Sequence, residues 1–155
     1  MKMIKIFNAI RNVLFTIAVV ILLCAGACLI LKIRPAVVMS GSMEPTLPVG
    51  SVVFIDEMAA DEVEIGDAIA FRIGENYVTH RILDKKDGCY VTKGDANDSM
   101  DPWQIAPSQV EGKVIFSIPY VGYLFKFLSG KRGMIVAASL IICFILGSIL
   151  ERKNE

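Results

Sequence analysis

Two long runs without a charged residue bracket the middle of this chain, and they limit its fold more than any other feature. No charge interrupts the sequence from Val13 to Leu31, and none does from Gly133 to Leu150. As a helix, the first run is long enough to cross the roughly 30 Å hydrocarbon core of a bilayer, and the second, slightly shorter, reads as a second span. A mean hydropathy of +0.56 with 54% hydrophobic residues is too apolar for an ordinary soluble domain, so a membrane protein is the expected class. Basic residues at both ends, Lys2, Lys5 and Arg11 before the first run and Arg152 and Lys153 after the second, suit a cytoplasmic side for both termini, although Lys32, Arg34, Lys126, Lys131 and Arg132 flank the runs on the other face, so charge alone does not fix the orientation. The layout that follows is a cytoplasmic N-terminus over 1–11, a transmembrane helix over 12–33, an extracytoplasmic domain over 34–128, a transmembrane helix over 131–150 and a cytoplasmic tail over 151–155.

The first run has a competing reading as a cleavable leader, with Ala25-Gly26-Ala27 as a cut site between small residues. The apolar sequence continues past that site through Ile30 and Leu31, which favours a retained anchor.

Between the runs the pattern changes to short β-type segments. Val37–Met39, Ser51–Ile55, Ala68–Arg72, Tyr77–Leu83, Tyr90–Thr92 and Val110–Ile118 are separated by turn signals such as Ile65-Gly66-Asp67 and Lys86-Asp87-Gly88. The expected fold is mainly β: a small all-β domain carried between two transmembrane helices. Helical character returns only over Tyr120–Leu128, whose aromatics and lysine suit either a core or the lipid headgroup layer.

Zero formal net charge, with no basic cluster interleaved with aromatics, argues against nucleic acid as a partner. Cys24, Cys28 and Cys143 lie in apolar runs and Cys89 stands alone in the polar region, so no disulfide framework is expected there. Neither a metal nor a cofactor is expected. The acidic stretch Asp95-Ala96-Asn97-Asp98-Ser99-Met100-Asp101 lacks the central glycine and closing glutamate of an EF-hand loop.

Three polar stretches stand out. Ser40-Gly41-Ser42-Met43-Glu44-Pro45-Thr46 holds Ser42 between a flexible glycine and a bulky methionine, with Pro45 stiffening the exit. Thr79-His80-Arg81 carries the chain's one histidine, so a serine–histidine mechanism must use His80. At neutral pH an imidazole can accept a hydroxyl proton without burial, which a lysine cannot. For the carboxylate that orients such an imidazole, Asp95, Asp98 and Asp101 are all available.

These stretches, in this order and between apolar runs, resemble the type I signal peptidases, specifically the endoplasmic-reticulum type also found in archaea and some Gram-positive bacteria. The resemblance covers roughly 37–125. It implies Ser42 as nucleophile, matching the serine before methionine in S-G-S-M, and His80 as general base where the common bacterial type has lysine. Aligned on Lys93-Gly94-Asp95, it implies Asp101 as the orienting carboxylate, with Asp95 supporting the site. The backbone N–H of Ser42 and the hydroxyl of Ser40 would face the oxyanion. Ala96 departs from the family, where asparagine is common.

The activity so implied is a membrane-bound serine endopeptidase, a hydrolase that removes N-terminal signal peptides from secretory precursors with small residues before the cut. The implied setting is the cell membrane, or the endoplasmic-reticulum membrane, in multi-pass form with the catalytic domain on the extracytoplasmic side. An extended peptide could add as a strand beside Val37–Met39. The lipid bilayer is the other expected partner, and the sequence is silent on accessory subunits. Two alternatives stand beside this reading: a self-processing regulatory peptidase with Ala25–Ala27 as target, and a non-catalytic β-domain serving as an assembly module of a secretion complex.

Overall fold

The alternating segments in the middle of the chain fold as one antiparallel sheet. The computed structural model describes residues 2–131, 133–136, 138, 139, 141, 142, 144 and 145. Its strands are β1 (Ile33–Val37), β2 (Val52–Asp56), β3 (Ala68–Ile73), β4 (Asn76–Lys86), β5 (Cys89–Lys93), β6 (Gln104–Ile105) and β7 (Val110–Ile118). They form a seven-stranded sheet in the order β1-β2-β7-β3-β4-β5-β6. Two apolar clusters stabilise it. Ile69, Phe71, Ile82, Tyr90, Ile105, Val63 and Val110 form one, while Ala70, between Ile69 and Phe71 on β3, joins Met43, Leu47, Val53 and Ile55 in the other. Successive residues of β3 thus feed different clusters, as the two-residue period of a strand requires.

The β4–β5 hairpin turns through Asp87 and Gly88, both at positive φ (51° and 79°), the conformation that a two-residue type I′ turn demands and an Asp-Gly pair tolerates. That turn pairs Lys86 with Cys89. β4 also pairs with β3, where His80 lies opposite Ile69.

The first strand begins earlier than the sequence suggested, at Ile33 rather than Val37, and Val38 and Met39 leave the ladder to lead into the serine loop. Arg34-Pro35 reads as a break because proline cannot donate a ladder hydrogen bond; at the sheet's edge, where β1 lies, it is tolerated. β6, at two residues, is too short to leave a periodic signal. The helical stretch before the second apolar run forms α2 (Val121–Ser129).

The chain divides into two units, residues 28–123 holding the sheet and residues 1–27 with 124–155 holding the terminal segments. The first apolar run lies in α1 (Lys2–Ile30), a 29-residue helix. Among the described residues this is the one helix long and apolar enough to cross a membrane, over Asn8–Ile30, and none of its most apolar window is buried in protein. Such a surface is compatible with a membrane anchor. Part of the expected second span, 131–150, and all of the tail, 151–155, lie outside the described residues.

Candidate active site

The loop after β1 is fixed by burial on either side of its polar residues. Met43 and Leu47 are 2% and 4% exposed in the second core cluster. The Leu47 amide donates to the Met43 carbonyl at 2.8 Å and the Glu44 amide to that of Gly41 at 3.0 Å, closing a tight turn. Val38 donates to the Ser51 carbonyl and Gly50 to that of Val38, which ties the loop's two ends together. Ser42, immediately before the anchored Met43, is left half-buried with its hydroxyl 3.4 Å from that of Ser40. Ser40 itself is exposed.

Strand β4 brings His80 to this loop. Its Nε2 lies 3.1 Å from Ser42 Oγ and its Nδ1 2.6 Å from Asp101 Oδ2. The imidazole is buried and meets the Phe71 ring edge-on. Asp101 is held in turn by Thr92 on β5: the threonine hydroxyl donates to the same Oδ2 at 2.6 Å, and the Asp101 amide donates to the Thr92 carbonyl at 2.9 Å. A proton on Nδ1, donated to the carboxylate, leaves Nε2 as an acceptor facing the serine hydroxyl. This arrangement can take a proton from Ser42 and stabilise the imidazolium that results.

The three aspartates left open by residue chemistry go to different places. Asp101 meets His80, whereas Asp98 is exposed. Asp95 accepts two hydrogen bonds from the Arg81 guanidinium, at 2.8 and 2.7 Å, and bonds neither His80 nor Ser42. Arg81 also donates to the Gly66 carbonyl at 2.7 Å. These bonds from Arg81 hold the Asp95 carboxyl below the usual carboxylate range, against the opposing effect of burial and with help from Thr46. Asp95 thus joins the residue after His80 to the loop that carries Asp101. That loop also grips the serine segment, since the Ala96 amide donates to the Ser42 carbonyl at 2.9 Å. A methyl group at Gly94 would collide with the same carbonyl, so glycine is needed for this close approach.

Sequence reasoning missed Thr92 and the partner of Arg81. Thr92 is fully buried on a strand, and a buried hydroxyl requires a partner, but its burial is a property of the fold that the sequence does not show.

Ser42 and His80 line a cleft of about 610 Å³ between β1 with its following residues and the first half of β4. Ala36, Val38, Leu47, Val53, Ala70 and Val78 make its lining largely apolar. Among the described residues β1 pairs only with β2, and β4 pairs with β5 only from Arg81 onward. Both walls therefore carry strand edges with unused main-chain groups, which suit an extended peptide.

The model of the peptidase S24-like family matches residues 32–115, more than half of the chain. Over 133 residues the chain is 34% identical to signal peptidase I W of Bacillus subtilis, covering 77% of this chain and 69% of that one. It is 33% identical over 107 residues to the signal peptidase complex catalytic subunit SEC11 of Colletotrichum graminicola, covering 60% and 62% of the two chains. The human catalytic subunit SEC11C is 31% identical over 100 residues, covering 56% and 52%. The matched region thus spans 52% to 69% of these relatives' lengths.

Proposed function

We propose, from the premise that the chain belongs to the peptidase S24-like family and to the type I signal peptidases, that it is a membrane-anchored serine endopeptidase removing signal peptides from secretory precursors. The observation that carries this reading is His80, bonded through one ring nitrogen to Asp101 and through the other to Ser42 at an apolar, peptide-sized cleft.

In this mechanism His80 Nε2 takes the Ser42 hydroxyl proton as Oγ bonds to the scissile carbonyl carbon. The carbonyl oxygen becomes an oxyanion, which the Ser42 amide and the Ser40 hydroxyl stabilise. Asp101 stabilises the imidazolium and keeps its Nδ1 proton in place. His80 then passes the proton to the leaving amine, the C–N bond breaks, and the acyl group stays on Ser42. A water activated by the same imidazole releases it and restores the serine.

The substrate binds as an added strand between the free edges of β1 and β4, its small side chains entering the apolar lining. The anchor is the helix within 12–33; with the expected second span over 131–150, part of which lies outside the described residues, the domain over 34–128 is on the outer side of the cell or endoplasmic-reticulum membrane. Self-processing at Ala25–Ala27 is disfavoured because those residues lie inside α1, where their backbone is committed to helical hydrogen bonds.

The test is to incubate the full chain, purified in detergent, with a precursor bearing a signal peptide and to weigh both products. A single cut after a small residue is expected. A precursor left whole, or cut at scattered sites, would overturn the reading.

A further inference from the structure

At the end of the cleft away from Ser42, the ring of Tyr77 has two guanidinium groups against it, with Arg34 Cζ 4.8 Å and Arg72 Cζ 4.6 Å from its centre. Arg72 is its cross-strand partner and also donates to the Tyr77 hydroxyl. Arg34 comes from β1, which is not a neighbour of β4 in the sheet, so this contact spans the cleft. Both guanidiniums are tied to Glu111, Arg34 at 3.5 Å and Arg72 at 3.3 Å. Arg34 Nε further faces Glu57 at 3.4 Å, an ion pair without hydrogen-bond alignment. The two arginines and two glutamates balance in charge, which leaves the ring as the feature a substrate would meet. Tyr77 and Arg34 both line the cleft that holds Ser42 and His80.

Resting on the peptidase reading above, we infer that Tyr77, in contact with Arg34 and Arg72, is the end wall of the substrate cleft and a specificity-determining residue. Tyr77 is three residues before His80 on one strand, about 10 Å at the rise of a β-strand. An extended substrate reaches it with the third or fourth residue from the cut. β1 and β4 both run from the Arg34–Tyr77 end toward Ser42 and His80, and Arg34 lies four residues past the end of α1. A precursor's apolar segment is on the acyl side of the bond to be cut, so the acyl side points toward Tyr77. Contact with two cations restrains the ring, which stands as an obstacle to large side chains there.

The experiment uses the full chain in detergent and precursors with Ala, Leu or Phe at the third and fourth residues before the cut. The readout is the ratio of kcat/KM for Ala over Leu or Phe within each variant, which a general loss of activity does not move. Tyr77→Ala is expected to reduce the wild-type ratio about tenfold or more at one of these positions, because pocket discrimination between side chains that differ by a few carbons is of this order. Tyr77→Phe, which keeps the ring against the cations, is expected to retain the ratio. Arg34→Gln, which frees the ring from β1 without removing it, is expected to reduce the ratio partway and serves as the deciding variant if Tyr77→Ala does not fold. Ratios equal to wild type in Tyr77→Ala, or in Arg34→Gln when it decides, overturn this inference alone if the wild type cleaves. A wild type that cleaves no precursor overturns the peptidase reading and this inference together.

Discussion

His80 and Asp101 meet through one oxygen: Nδ1 lies 2.6 Å from Oδ2, with the two side chains only 8% and 6% exposed. So short and shielded a contact fixes both the ring's orientation and the nitrogen that holds its proton. The other nitrogen is then free to serve Ser42, and the proposed chemistry depends on that division.

Asp101→Asn should therefore reduce activity far more than stability. An amide presents either a donor or an acceptor to Nδ1 and no longer balances an imidazolium, so kcat for precursor cleavage should fall on the order of a thousandfold or more. A loss below about tenfold would mean that the carboxylate does not set the tautomer.

Thr92→Val keeps the shape of a fully buried side chain but removes its hydroxyl donation to Asp101. A buried carboxylate that loses a donor costs about 1–3 kcal/mol. The variant should unfold at a lower temperature in detergent and cleave more slowly, while Thr92→Ser, with the hydroxyl restored, should recover much of the rate.

The Arg81–Asp95 pair should appear in the pH dependence of stability. Asp95's carboxyl is held low in the folded chain, chiefly by its hydrogen bonds from Arg81. A lowered folded-state value means that the stabilisation is complete above the unfolded value, about 3.9, and is lost as pH falls through the lower folded value. At pH 7 Asp95→Asn should be less stable than wild type by about 1–3 kcal/mol, since the bonds removed are charge-assisted. Thermal unfolding followed from pH 7 downward should show the two curves converging in the acid range; a gap of constant size would contradict the assignment.

Gly94→Ala tests the grip of the aspartate loop on the serine segment. The added methyl meets the Ser42 carbonyl, so the backbone that carries the hydroxyl must move. A displacement of about 1 Å can cost a hundredfold in rate. Cleavage should fall by about that much, and the rate of Ser42 acylation by a serine-directed inhibitor should fall with it.

Much of this was legible in the sequence because the signals are local. Ser42 stands out by its glycine, methionine and proline neighbours, His80 by being the chain's one histidine, and the strands by alternation and Asp-Gly punctuation. What escaped notice depends on contacts between distant residues. Nothing near Arg81 announces Asp95, nothing near Arg34 announces Tyr77, and residue chemistry alone could not choose among three aspartates that the fold sends to His80, to Arg81 and to solvent. Pro35 concealed the start of β1 because its penalty vanishes at a sheet edge, a property of topology rather than of local sequence.

The most direct measurement compares precursor cleavage by the wild-type chain and by Ser42→Ala, both purified whole in detergent and shown to be folded. The wild type should release the mature product, and Ser42→Ala should lose on the order of a millionfold in rate, leaving no product above background. Ser42→Ala releasing the same product at a comparable rate would show that the bond is broken by another group, and the role proposed for the Ser42–His80–Asp101 arrangement would fail.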